Sequence, residues 1–151
     1  FPGGKPEVAA AALRSSGAAY LALLPTLLDG APDLDDAIPG AFALAAEHIA
    51  EAGWITMCPV GTVAGEVADS EPEVAAAAAE VFADWIAGGT AYFAARGLED
   101  AAARELTLAV LSSLEGAFIL ARSLRSPDPL LAAGSALREH VRLRLAIAGT
   151  M

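Results

Sequence analysis

The chain has 151 residues, enough for one domain with its own core. It is 56% hydrophobic, much of that alanine, with 6% aromatics and almost no β-branched runs, which favours an all-helical domain over any sheet. A formal charge of -10 and a single lysine, Lys5, exclude the clustered cations that a phosphate backbone demands, so this chain by itself is not expected to hold nucleic acid.

The mean hydropathy of +0.51 is high, and the apolar surplus must be buried somewhere. A membrane span needs roughly 20 consecutive apolar residues. The run Ala18–Leu28 is shorter and contains Pro25, and the run Leu106–Ala121 contains Ser112, Ser113 and Glu115, so no span is expected. A subunit interface and an apolar cavity are the two remaining sinks. The first residues do not read as a signal peptide, and because the first is Phe rather than Met the natural chain is expected to begin earlier. Cys58 is the only cysteine, which rules out an intrachain disulfide and fits a reducing, cytoplasmic setting. His48 and His140 sit in no ligand-spaced motif, so no metal is expected.

Six helices are expected in chain order. The first starts near Pro6, with Pro25 kinking or ending it and Gly30-Ala31-Pro32 closing the segment. The second runs from about Asp35 to Ala52, its start favoured by Asp33, Asp35 and Asp36, delayed or bent by Pro39, and its end marked by Gly53. The third is short, from Pro59 to about Ala68. The fourth opens on Ser70-Glu71-Pro72-Glu73, read as a capping box with Ser70 as N-cap, and closes at Arg96-Gly97. Along it Val74, Ala78, Val81, Phe82, Trp85, Ile86 and Phe93 recur at helical spacing.

The fifth helix spans about Asp100 to Arg122, apolar nearly all round from Leu106 to Ala121, and such a helix is buried on more than one side. The sixth runs from Asp128-Pro129 to about Ala148 with a stripe of Leu130, Leu131, Gly134, Leu137, Val141 and Leu145. Two long C-terminal helices of this kind suggest a unit that pairs with its own copy into a four-helix bundle, with Gly116, Ala117 and Gly134 permitting close approach. Packing inside a monomer is the alternative.

Several residues carry chemistry of interest. Trp54, Met57 and Cys58 suit the wall of an apolar pocket or an ordinary core. Phe82, Trp85 and Ile86 can serve as core or as pocket wall. Glu66 and Glu115 lie in apolar surroundings, where a buried carboxylate costs several kcal/mol unless paired. Glu115 either bonds a polar or cationic group of a ligand, pairs with an arginine such as Arg104 or Arg122, or is exposed at a helix edge. Thr62, Ser112 and Ser113 offer polar anchors, although such hydroxyls often bond back to a helix carbonyl. Cys58 precedes a helix, where thiols are sometimes activated, or else it is a small buried hydrophobe. There is no phosphate loop, nucleophile elbow or metal spacing, and an enzyme is not expected.

Three segments carry a resemblance. Phe1-Pro2-Gly3-Gly4-Lys5 resembles the turn after the recognition helix of TetR-type repressors. Cys58-Pro59-Val60-Gly61-Thr62-Val63-Ala64 resembles the Cys-Pro-Val segment of their LmrA-like branch, and Leu114–Arg122 is similar to the family's penultimate helix. The resemblance covers nearly the whole chain, but the helix-turn-helix head is missing; residues 1–5 would be the remnant of its last turn and 6–151 the ligand-binding and dimerisation domain. It implies an all-α homodimer that senses a small apolar or aromatic effector and releases operator DNA held by the missing head, Lys5 alone being placed to touch a phosphate. No cofactor is implied. The implied effector pocket takes Phe42, Trp54, Met57, Cys58, Thr62 and Glu66 from the earlier helices, and Phe82, Trp85, Ile86, Leu111, Glu115 and Phe118 from the later ones. The implied dimer face takes Leu106, Val110, Ser113, Ala117 and Leu120 from the fifth helix, with Leu131, Gly134, Leu137 and Val141 from the sixth. A ligand-free helical interaction module is the alternative.

Overall fold

The computed structural model describes residues 2–67 and 70–148. Phe1 of the family-like turn and Ala68, the expected end of the third helix, lie outside the described residues. Six helices follow one another: α1 Gly4–Leu28, α2 Leu34–Glu51, α3 Pro59–Val67, α4 Pro72–Ala94, α5 Asp100–Leu124 and α6 Asp128–Ala148. No strand occurs among the described residues, and the fold is all-α as expected.

Helix α1 lies along α4, α2 lies along α6, and α5 packs between α4 and α6, while α3 rests on α4. Two cores result. The larger gathers Ile38, Phe42, Ile49, Phe93, Leu106, Leu130 and Val141 from α2, α4, α5 and α6. The smaller gathers Ala10, Leu13, Val60, Val74, Ala77, Ala78 and Val81 from α1, α3 and α4. Helix α4 contributes to both, its first half to the smaller core and Phe93 to the larger.

Local chemistry explains the boundaries and corrects several expectations. Pro25 does not end α1, which continues to Leu28; the Pro25 carbonyl accepts from the Asp29 amide at 2.7 Å and closes the last turn. Pro39 lies inside α2 and does not delay its start, since Asp33 is the N-cap and Leu34 the first helical residue. The capping box at Ser70 is not formed. Glu71 is the N-cap, no side chain caps α4, and Pro72 takes the first helical position. That start places Glu73 one residue too early to reach back. Gly53 and Gly97 follow their helices with φ of +69° and +97°, values that favour glycine.

The expectation of no apolar span is also corrected. Helices α1 and α5 are each 25 residues long, and both are long and apolar enough by length and composition to cross a membrane. The apolar runs were read as interrupted by Pro25 and by Ser112, Ser113 and Glu115, yet both helices continue through them. Here both pack sideways against helices of the same body.

Helix α6 is held on α2 by shape and charge. Arg138 bonds the Asp35 carbonyl at 2.9 Å and pairs with Asp36, and Arg142 bonds Asp35 at 2.8 Å. The Arg142 guanidinium holds the Asp35 carboxyl below the usual carboxylate range. Between these helices Gly134 lies against Phe42, where an added Cβ would stand 2.9 Å from the Phe42 Cβ and 3.1 Å from the Pro39 Cα. Gly134→Ala is therefore expected to destabilise by about 1–3 kcal/mol through overpacking. Gly40→Ala, where an added Cβ meets nothing within 4 Å, is expected to stabilise by up to ~1 kcal/mol through helix propensity. Denaturant midpoints at constant slope measure both.

Candidate functional site

The site forms where the chain leaves α2 and enters α3. Gly53 and Trp54 turn it with consecutive left-handed residues, Trp54 at φ +67°, and the Trp54 amide bonds the Ile49 carbonyl at 2.8 Å. A non-glycine residue there is costly and persists only where its surroundings hold it. Trp54 is half-buried on the larger core. The segment that follows lays Met57 and Cys58 toward α5.

Cys58 stands immediately before α3. The Gly61 amide donates to its sulfur at 3.4 Å, and its carbonyl accepts the Thr62 hydroxyl at 2.9 Å and the Thr62 amide at 3.0 Å. From the opposite side α5 presents Glu115. Its Oε2 lies over Gly61 so closely that a Cβ there would overlap it. Burial raises the Glu115 carboxyl above its ordinary range, an effect only partly offset by a hydrogen bond with the Cys58 thiol. Burial, reinforced by the same carboxyl, pushes the Cys58 thiol up to about 12. Among the described residues Oε1 of Glu115 is buried with no hydrogen-bond partner, and so is the Thr56 hydroxyl two residues before Cys58. Seven residues beyond Glu115 on α5, Arg122 donates to the Met57 sulfur at 3.1 Å. Among the described residues no ion pair joins Glu115 to Arg104 or Arg122.

The structure thus brings together Met57, Cys58, Thr62 and Glu115 along one α3–α5 seam. Leu111 and Phe118 are half-buried on α5 beside it, Phe118 against the larger core. Phe82 and Trp85 sit half-buried at the edge of the smaller core. Their rings meet edge to face at 5.6 Å, and the Trp85 indole donates to the Gly17 carbonyl at 2.8 Å. Ile86 is half-buried one position on. Two expected pocket residues lie apart. Phe42 is 2% exposed and filled in against α6, while Glu66, read as embedded, is exposed on α3, as is Gly65 beside it. Sequence reasoning missed Thr56 and the role of Gly61 as the floor under a carboxylate. A glycine one turn into a short helix was the only available signal.

Of the expected dimer residues, Leu106, Ala117, Gly134, Leu137 and Val141 are buried inside the chain's own core, and Val110 and Ser113 are half-buried. Leu120 and Leu131 are exposed, as are Ile119, Leu124 and Leu143 on the same two helices. Two surface hollows lie away from the seam. One of about 480 Å³ lies over Gly4, Lys5 and Val8, and one of about 430 Å³ is bordered by Asp29, Tyr92 and Arg96.

The electrostatics have measurable consequences. Because the folded carboxyl of Glu115 holds its proton above the ordinary range, stability present at acid pH is lost as pH rises through that range. Glu115→Gln is therefore expected to stabilise by about 1 kcal/mol near pH 8 and by almost nothing near pH 4. Paired unfolding curves at the two pH values decide it. Cys58, with its thiol protonated at neutral pH, should resist iodoacetamide in the folded chain and react on unfolding; fast labelling of the folded chain would count against the burial described.

Residues 36–136 match the family described as "Transcriptional regulator LmrA/YxaF-like, C-terminal domain". The chain is also similar to two uncharacterized HTH-type transcriptional regulators, one in each of two strains of Mycobacterium tuberculosis. Each is 30% identical over 135 residues, which is 86% of this chain and 68% of the relative. The match runs from the start of α2 into α6, and the chain belongs to the LmrA/YxaF-like TetR-type transcriptional regulators, of which it carries the C-terminal domain.

Proposed function

We propose that this chain is the effector-sensing and dimerising part of a transcriptional repressor, acting in the cytoplasm through operator DNA bound by a helix-turn-helix head N-terminal to it. The observation that carries the sensing reading is the seam between the cores. Trp54 and Phe118 lie half-buried at the margin of the larger core, and Cys58, Phe82 and Trp85 at the margin of the smaller. Side chains in that state are neither sealed in nor fully solvated, and a small apolar effector would complete their burial. Catalysis has no part in this reading.

Dimerisation uses the faces of α5 and α6 that the chain leaves exposed, with Ile119, Leu120 and Leu124 on one and Leu131 and Leu143 on the other. Five large apolar side chains on two neighbouring helices form the kind of face that a two-fold copy covers. Effector binding favours a conformer in which α1, running from the head end to the smaller core, holds the two heads out of register. A coupling of about 1–3 kcal/mol would change operator affinity by roughly 5–150-fold.

Two measurements test this. Light scattering should give a dimer mass for the chain and a monomer mass for Leu120→Glu; an unchanged mass would remove this face from the interface. Thermal unfolding with a panel of aromatic and aliphatic compounds should show a saturable rise for one class, about 2.7 kcal/mol at 100 times its dissociation constant. No rise across the panel, with the dimer intact, would favour a ligand-free interaction module.

A further inference from the structure

Glu115 is out of keeping with the rest of the chain's electrostatics. The other prominent carboxylates are matched on the surface: Glu80 by Arg14, Asp29 by Arg96, Asp36 by Arg138, Asp35 by Arg142 and Glu105 by Arg144. Glu115 alone among these is drawn into an apolar seam. Among the described residues its one hydrogen-bond partner is a thiol, and one oxygen is buried without any. Arg122, two turns further along α5, donates to the Met57 sulfur. The cost of such a group is of order 1–3 kcal/mol per unsatisfied atom, and a chain that tolerates it leaves an acceptor waiting for a donor.

The surroundings narrow the donor. A carboxylate only accepts, so the missing group must donate. The sequence neighbours are apolar, with Met57 and Cys58 before α3 and Leu111, Leu114 and Phe118 within about a turn of Glu115 on α5, so the donor sits on an apolar body. The Thr56 hydroxyl, in the loop that leads into Cys58, is also buried and without a hydrogen-bond partner among the described residues. The domain's net charge of -10 disfavours an anion at any depth. Gly61 adds a geometric element, since only a residue without a side chain leaves the carboxylate room to lie across α3.

We propose that the α3–α5 seam binds lipophilic amines, with the protonated nitrogen on Glu115 Oε1 and the apolar body between α3 and α5. This deepens, and rests on, the reading of the seam as an effector site. Charge-assisted bonds of this kind are about twice as strong as neutral ones, so an amine should outrank its own neutral analogue.

The test uses one skeleton with three head groups: naphthylmethylamine, naphthylmethanol and naphthoate, each titrated calorimetrically into the chain near neutral pH. The amine is expected to bind about tenfold more tightly than the alcohol, and naphthoate most weakly. Glu115→Gln, with its fold verified by circular dichroism, should abolish the amine's advantage and leave the alcohol within about twofold. Gly61→Ala, which forces the carboxylate aside, should do the same and serves if the first variant folds poorly. Equal binding of amine and alcohol, or an amine preference that survives both substitutions, overturns the amine assignment while the sensing reading stands. Binding of none of the three counts against both.

Discussion

Glycine sets where the helices of this chain can meet. Helices α1 and α4 approach at Gly17, under Val81, and at Gly88, under Leu21; α4 and α5 at Gly89, under Thr107; α2 and α6 at Gly134, under Phe42. In each place an added Cβ would collide with the neighbour's side chain, so the backbone itself is the packing surface. A chain with 6% aromatics and abundant alanine has few large side chains to fill a wide space between helices. It reaches core density by bringing the helix axes close instead. The two cores, and the position of α4 between them, follow from those approaches.

The fourth glycine-lined junction breaks the pattern. Where α3 meets α5 the side chain lying on bare backbone is the Glu115 carboxylate, not an aliphatic group. An aliphatic knob at Gly61 would gain from burial. The carboxylate is penalised by it, and its raised affinity for a proton and the raised Cys58 thiol are two signs of one desolvation. The Cys58 thiol is expected to react slowly for the same reason: the seam that partly buries it also faces it with an acid. A redox role for Cys58 has no support in this geometry, because a reactive thiol needs a positive neighbour and finds a carboxyl.

Much of the fold was legible before any coordinates. Helix number and order follow from periodicity and punctuation, since Gly53, Gly97 and Pro72 act locally and declare themselves in the sequence. What misled was also local but context-dependent. Pro25 and Pro39 each remove one backbone hydrogen bond, and the packing of α1 on α4 and α2 on α6 outweighs that loss. The site was half legible. Met57, Cys58 and Glu115 stand out by type, and the Cys-Pro-Val run marks their neighbourhood. Which face of α5 and α6 turns inward was not legible, because an all-apolar helix has no polar side to orient it. Leu106, Leu137 and Val141 therefore read as interface when they are core, and Ile119, Leu124 and Leu143 went unnamed.

The same glycine contacts bear on how a signal would cross the proposed sensor. Helix α1 is tied to α4 by Val81 over Gly17 and by the Trp85 indole on the Gly17 carbonyl. Helix α4 is tied to α5 by Thr107 over Gly89, while α3 packs on α4 and touches α5 through the carboxylate at Gly61. Tight contacts on backbone transmit displacement because they have no soft side chain to absorb it. The α3–α5 contact is the soft one: polar, desolvated and half-partnered. An effector entering there would change the junction at which a carboxylate, rather than an aliphatic side chain, lies on glycine, and α4, which α3 rests on, would carry the change to α1 and so toward the proposed head.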